Sequence, residues 1–152
     1  MATQSPDAEK ILNTAAERAR ERKVAYTGDV TPVEAYRLFS EFGAKIIDVR
    51  SAIEHEYIGR IPGSTLVVWK HLPSGEMNYD FLPQLQERAA TDDVVLFLCR
   101  SGVRSQAAAA AATRAGYKHA YNILEGFEGD LNPQQRRGDT GWRKAGLPWI
   151  QS

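Results

Sequence analysis

One cysteine stands among 152 residues. That count excludes an internal disulfide framework and a zinc site built from several thiolates. It also leaves no second thiol in the chain to resolve chemistry begun on the first. No stretch approaches the ~18 consecutive apolar residues of a membrane-spanning helix. Neither sign of charge predominates: 19 Lys plus Arg balance 19 Asp plus Glu, for a formal net charge of zero. A nucleic-acid-binding domain generally carries a basic excess, so neither nucleic acid nor a membrane is an expected partner. Residues 1–23 lack the apolar core of an export signal, being interrupted by Asp7, Glu9, Arg18, Arg20, Glu21, Arg22 and Lys23. A cytoplasmic setting, where thiols stay reduced, is therefore expected. No internal repeat is present. His55, His71 and His119 show no metal-ligand spacing, so no metal site is expected.

What remains is the composition of an ordinary globular protein, 43% hydrophobic and 25% charged, with room for one domain and a real core. Ser5-Pro6-Asp7 reads as a helix start. Its apolar stripe of Ile11, Leu12, Ala15, Ala16 and Ala19 is thin, which predicts a helical extension or tail over 1–23 that packs loosely and is dispensable for chemistry. The main domain is expected over 24–152. Thr31-Pro32-Val33-Glu34 is a capping-box pattern opening a helix through Tyr36, Leu38 and Phe39 towards Gly43. Lys45 to Val49 and Ser64 to Trp69 read as strands. Asn78 or Tyr79 opens a helix carried by Phe81, Leu82, Leu85 and Ala89. Val94 to Leu98 is an unbroken apolar run of the kind buried on both faces of a sheet. A helix follows over 104–115, with Gly116 just past its end. Its six alanines, Ala107 to Ala112, would let it lie close against a sheet. Tyr121 to Leu124 is a last strand, 132–141 a surface loop, and Gly141 to Gly146 a short final helix. Strands alternating with helices imply an α/β architecture with a mainly parallel sheet.

The segment Leu98-Cys99-Arg100-Ser101-Gly102-Val103-Arg104-Ser105 carries the chemistry. Cys99 sits at the C-terminal end of a core strand, where open α/β sheets place their ligand sites. The residues after it can curl so that successive N–H groups point inward, and they end at a helix N-terminus that favours anions. Gly102 permits a backbone conformation closed to most residues. Arg100 and Arg104 add positive charge. Helix N-termini and nearby cations favour the thiolate, which is the nucleophilic form.

This loop resembles the active-site loop of the rhodanese family of sulfurtransferases. Asp48-Val49-Arg50 is similar to the family's Asp-Val-Arg after the second strand. Glu56 to Ser64 resembles its Gly-His-Ile-Pro-Gly-Ala segment, with Arg60 where His is common. Leu124 to Gly129 and Trp142 to Pro148 resemble its closing Gly-Gly…Trp…Gly-Leu-Pro pattern, with Phe127 and Glu128 in place of smaller residues. The resemblance spans roughly residues 25–150. It implies a rhodanese-type α/β domain with a central, mainly parallel sheet of about five strands, here preceded by an extra N-terminal helix.

The resemblance also implies a reaction. The Cys99 thiolate takes the outer sulfur of thiosulfate or a similar small anionic donor, forms a persulfide, and passes the sulfur to cyanide or to a thiol, which could belong to a protein. Arg100, Ser101, Gly102, Val103, Arg104 and Ser105 would bind the donor, with Arg100 and Arg104 attracting it. Asp48 and Arg50 would brace the loops. No cofactor is needed. With no resolving thiol in the chain, the acceptor must come from outside, so Cys99 is expected to face a shallow pocket open to solvent. Two other readings stand beside this one. A non-catalytic rhodanese-like binding module generally lacks the loop cysteine or glycine, which this chain keeps. A cysteine phosphatase or arsenate reductase carries Cys-x5-Arg, whereas Cys99 and Arg104 enclose four residues, a smaller cradle.

Overall fold

The alanine-rich stripe near the N-terminus forms a helix that docks closely. In a computed structural model, which describes residues 5–151, α1 (Pro6–Arg22) buries Ala8, Leu12, Ala15 and Ala19. Its partner is β1 (Gly28–Val30). A Cβ added to Gly28 would lie 2.7 Å from the backbone carbon of Ala15, so the two backbones touch. Small side chains here permit close approach, and the expectation of loose packing is corrected on that ground. Arg18 reinforces the contact: it pairs with both Glu34 carboxylate oxygens at 2.7 and 3.0 Å and donates to the Asp29 carbonyl at 2.9 Å.

The remaining elements follow in alternation. They are α2 (Pro32–Phe42), β2 (Lys45–Asp48), a π-helical turn (Glu54–Ile58), β3 (Thr65–Leu66), α3 (Phe81–Arg88), β4 (Val94–Leu98), α4 (Val103–Arg114) and β5 (His119–Ile123). The capping box forms: Thr31 Oγ1 accepts from the Glu34 amide at 3.2 Å, and the Glu34 carboxylate accepts from the Thr31 amide at 2.9 Å. Among the described residues the five strands make one sheet in the order β1-β5-β4-β2-β3, all parallel. This is the five-stranded parallel α/β architecture that the resemblance implies, with a helix added at the N-terminus.

β4 lies between β5 and β2, which is why its run is apolar throughout. Val94, Leu96 and Leu98 pack into a core shared with α1 and α2. Val95, Phe97 and Cys99 face the other layer, against Phe81, Leu85, Ala108 and Ala112 of α3 and α4. The register pairs Asp48 with Leu98 and Phe97 with Asn122. Asp48, Cys99 and Asn122 therefore lie along one edge of the sheet, at its C-terminal ends.

Two elements carry little sequence signal, and one local expectation is revised. β1 is a strand of Gly, Asp and Val, the first two of which are depleted in strands, so its sequence carries little signal. The π-helical turn has no clear periodicity in so few residues. Gly141 to Gly146 forms hydrogen-bonded turns in place of a helix. The buried Trp142 fixes that segment, its indole donating to the Pro148 carbonyl at 2.8 Å and meeting Tyr36 edge-on at 5.9 Å.

Candidate active site

Cys99 follows directly on β4, and the chain then curls back over its sulfur. The Gly102 amide donates to Cys99 Sγ at 3.0 Å, and Ser105 Oγ lies 3.3 Å from the same atom. Gly102 has φ of +105°, a left-handed conformation that glycine adopts without strain. It immediately precedes α4, so the sulfur sits beside the N-terminus of a helix of 12 residues. From beneath, the Phe127 and Glu128 amides donate to the Cys99 and Arg100 carbonyls at 2.8 and 2.9 Å. The segment 124–129 thus holds the loop from the inner side.

The expectation of an open site is corrected. Cys99 is only 1% exposed. The curled loop that brings an N–H and a hydroxyl to the sulfur also covers it, so a reagent can reach Sγ only when the loop or the side chain moves. The expected convergence of several amides is corrected too: among the described residues, Gly102 alone donates a backbone N–H to Sγ. Ser101 is half-buried and Val103 is exposed, and neither side chain hydrogen-bonds to the sulfur.

Arg104 does not stand free to meet an anion. Its Nη1 and Nη2 donate to the two Glu54 oxygens at 2.7 and 2.9 Å. That hydrogen bonding raises the Arg104 pKa above its ordinary value, against the opposing effect of burial. Burial alone would raise the Glu54 pKa, but the Arg104 donors and charge, with those of Ser51, hold it below the usual carboxylate range. Arg100 is exposed and its guanidinium has no side-chain partner among the described residues. Arg100, Arg104, Lys70 and Leu72 line a small pocket of about 220 Å³ over the loop.

Asp48 and Arg50 form a fully buried pair. Arg50 Nε and Nη2 donate to the two Asp48 oxygens at 2.9 and 2.6 Å, and Nη2 also donates to the Gly59 carbonyl at 2.6 Å. The Arg50 guanidinium carbon lies 4.4 Å from the Phe127 ring centre, and Arg50 Nη1 is buried without a hydrogen-bond partner among the described residues. His55 Nδ1 lies 2.9 Å from Asp48 Oδ2. Burial works to raise the Asp48 pKa, and hydrogen bonds from His55 and Arg50 with the Arg50 charge outweigh it. The pair ties the end of β2 to the π-helical turn that carries Glu54.

Glu54, His55, Asn122 and Lys70 were not evident as site residues from sequence. Glu54 had a readable signal. Ser51 and Glu54 form a Ser-x-x-Glu capping box, with the Ser51 amide on Glu54 Oε1 at 3.1 Å and the Glu54 amide on Ser51 Oγ at 3.3 Å. Among the described residues, no group of His, Cys, Asp or Glu side chains is placed to hold a metal ion.

Residues 31–132 match the family described as "Rhodanese-like domain". A crystal structure of Rv0390 from M. tuberculosis is 42% identical, with a TM-score of 0.76; the match covers 84% of this chain and 99% of that one. Uncharacterized protein RC0915 of Rickettsia conorii is 34% identical over 128 residues, which span 80% of this chain and 95% of the relative. Thiosulfate sulfurtransferase GlpE of Actinobacillus succinogenes is 28% identical over 125 residues, or 82% of this chain and 91% of the relative.

Proposed function

The chain belongs to the rhodanese-like domain family, and from that premise we propose that it is a sulfurtransferase that carries sulfane sulfur as a persulfide on Cys99. The observation that carries this reading is the placement of Sγ at the end of β4, 3.0 Å from an inward N–H beside a helix N-terminus. An N–H so placed stabilises negative charge on sulfur in both the attacking thiolate and the persulfide. The similarity to a thiosulfate sulfurtransferase supports thiosulfate as the donor.

In the first step the Cys99 thiolate attacks the outer sulfur of thiosulfate. A Cys99 S–S bond forms, the donor's S–S bond breaks, and its electron pair leaves with sulfite. In the second step cyanide or an external thiolate attacks the outer persulfide sulfur. Thiocyanate or a new persulfide departs, and the Cys99 thiolate is regenerated. Charge and electrons balance without an added oxidant or cofactor.

Loop opening precedes the first step, because Sγ has almost no exposed surface. Arg100 and Lys70 on the adjoining pocket attract the dianionic donor. Once the loop moves, the backbone of Arg100, Ser101, Gly102, Val103, Arg104 and Ser105 encloses the transferred sulfur. Asp48 and Arg50 hold the end of β2 in place. A cytoplasmic setting suits a thiol that must remain reduced between turnovers.

Mass spectrometry after incubation with thiosulfate and removal of the donor tests the reading. The protein should be heavier by one sulfur atom, cyanide should remove that mass as thiocyanate, and Cys99→Ser should do neither. Full sulfur transfer by Cys99→Ser would overturn the proposal.

A further inference from the structure

The two groups that touch the Cys99 sulfur are both tied to the same residue of α1. On one side, Ser105 Oγ donates to Asn122 Oδ1 at 2.5 Å. Asn122 Nδ2 donates to Asp29 Oδ1 at 3.2 Å, and Arg22 Nη1 donates to Asp29 Oδ2 at 2.6 Å. On the other side, the Gly102 carbonyl accepts from Gln106 Nε2 at 2.9 Å, and Gln106 Oε1 accepts from Arg22 Nη2 at 3.0 Å. The path Arg22–Asp29–Asn122–Ser105–Cys99–Gly102–Gln106–Arg22 is a closed ring.

Its direction is determined by chemistry. The Asp29 carboxylate only accepts, so the Asn122 amide nitrogen must face it and the Asn122 oxygen must face Ser105. The single Ser105 proton is then committed to Asn122. In the Cys99–Ser105 contact the donor is then the S–H when Cys99 is a thiol, while the Gly102 N–H donates to the same sulfur. Every link is satisfied at once when the sulfur carries a proton, and Asp29, Asn122, Ser105 and Cys99 are all buried. Arg22 is the ring's outer member, with its side chain 42% exposed.

We infer that Arg22, at the C-terminal end of α1, is a positioning residue for Cys99: it closes the hydrogen-bonded ring that holds the loop shut over the sulfur. A helix that lies outside the matched residues 31–132 thereby sets how often the sulfur is uncovered. The planar guanidinium is needed because its two nitrogens bridge Asp29 and Gln106 together, which an ammonium cannot do in the same geometry. The inference rests on Cys99 as the sulfur nucleophile for its meaning, but the ring itself can be tested without turnover.

The test is the rate at which iodoacetamide alkylates the folded protein, read by mass, since the chain has one cysteine. Arg22→Ala should raise that rate about tenfold, the scale set by losing a charge-assisted hydrogen-bond link. The increase should not depend on urea at low concentration, because a local opening exposes little surface, whereas global unfolding depends on it steeply. Gln106→Ala should raise the rate in the same way. Arg22→Ala with Gln106→Ala should exceed the larger single effect only slightly, because both break one ring. Arg20→Ala, on the same helix turn but outside the ring, should leave the rate unchanged. An unchanged rate in Arg22→Ala, an increase that appears only with urea, or fully additive single effects would overturn the inference. If the ring behaves as expected but thiosulfate never loads Cys99, the sulfurtransferase reading fails and the ring stands.

Discussion

Arg104 and Glu54 meet through two parallel hydrogen bonds of 2.7 and 2.9 Å, although 50 residues separate them. The pair joins the first turn of α4 to the π-helical turn and balances the charge of an arginine that borders the pocket over Cys99. Removing either partner leaves the other half-buried and unmatched. Glu54→Gln should lower stability by about 2 kcal/mol, below the ~3–5 kcal/mol of fully buried pairs, measured by urea unfolding. It should also lower the KM for thiosulfate, because the Arg104 charge is no longer cancelled. Arg104→Ala should cost similar stability and raise KM. Equal KM values in the two variants would show that Arg104 has no influence on donor binding.

Arg100 carries the opposite expectation for stability. Its side chain is exposed and has no side-chain partner among the described residues, so Arg100→Ala should leave unfolding unchanged. KM for thiosulfate should rise up to about fivefold at low ionic strength, the scale of an exposed charge interaction of at most ~1 kcal/mol. The turnover number should hold. Raising salt should bring wild type and variant together as screening removes the attraction. Steady-state kinetics across ionic strength checks all three points.

Acid should destabilise the protein through Asp48 and Glu54. Both carboxylates have folded pKa values below their ordinary ones, because cationic and hydrogen-bonding partners outweigh burial. A depressed folded pKa means that the unfolded chain binds protons first. The stability from these groups is therefore complete above the unfolded values near ~4 and is lost as pH falls through the lower folded values. Unfolding free energy should decline below about pH 5. Asp48→Asn, already unable to bind that proton, should be less stable at neutral pH and show a shallower acid decline.

The docking of α1 is tested at Gly28. An added Cβ would stand 2.7 Å from the Ala15 backbone carbon and 2.9 Å from the Tyr121 ring. Backbone cannot yield as a flexible side chain can, so Gly28→Ala should destabilise by about 1–3 kcal/mol. Hydrogen exchange should show the loss first in α1. Protection in α1 equal to wild type would mean that the helix tolerates the separation.

Where bonding is local, the sequence alone was sufficient. The Thr31 capping box joins residues three apart, and it appears where it is written. The apolar run of β4, with period-two packing on both faces, required a central strand, and a parallel sheet of alternating elements followed from the order of strand and helix signals. Cys99 at the end of that strand, beside the α4 N-terminus, was legible for the same reason. Side-chain partners were not. Arg22 meets Gln106 across 84 residues and Asn122 meets Asp29 across 93. No spacing rule links residues so far apart; the β1–β5 register brings Asp29 opposite Asn122, and only the assembled sheet does so. The burial of Cys99 and the neutralisation of Arg104 belong to the same class. A thin alanine stripe looked weak when judged by side-chain volume alone, and became a close contact because its partner on β1 is glycine. Residue types and local periods specify elements and their order. The partners of a charged or nucleophilic side chain depend on which elements pack side by side, and tertiary structure alone decides that.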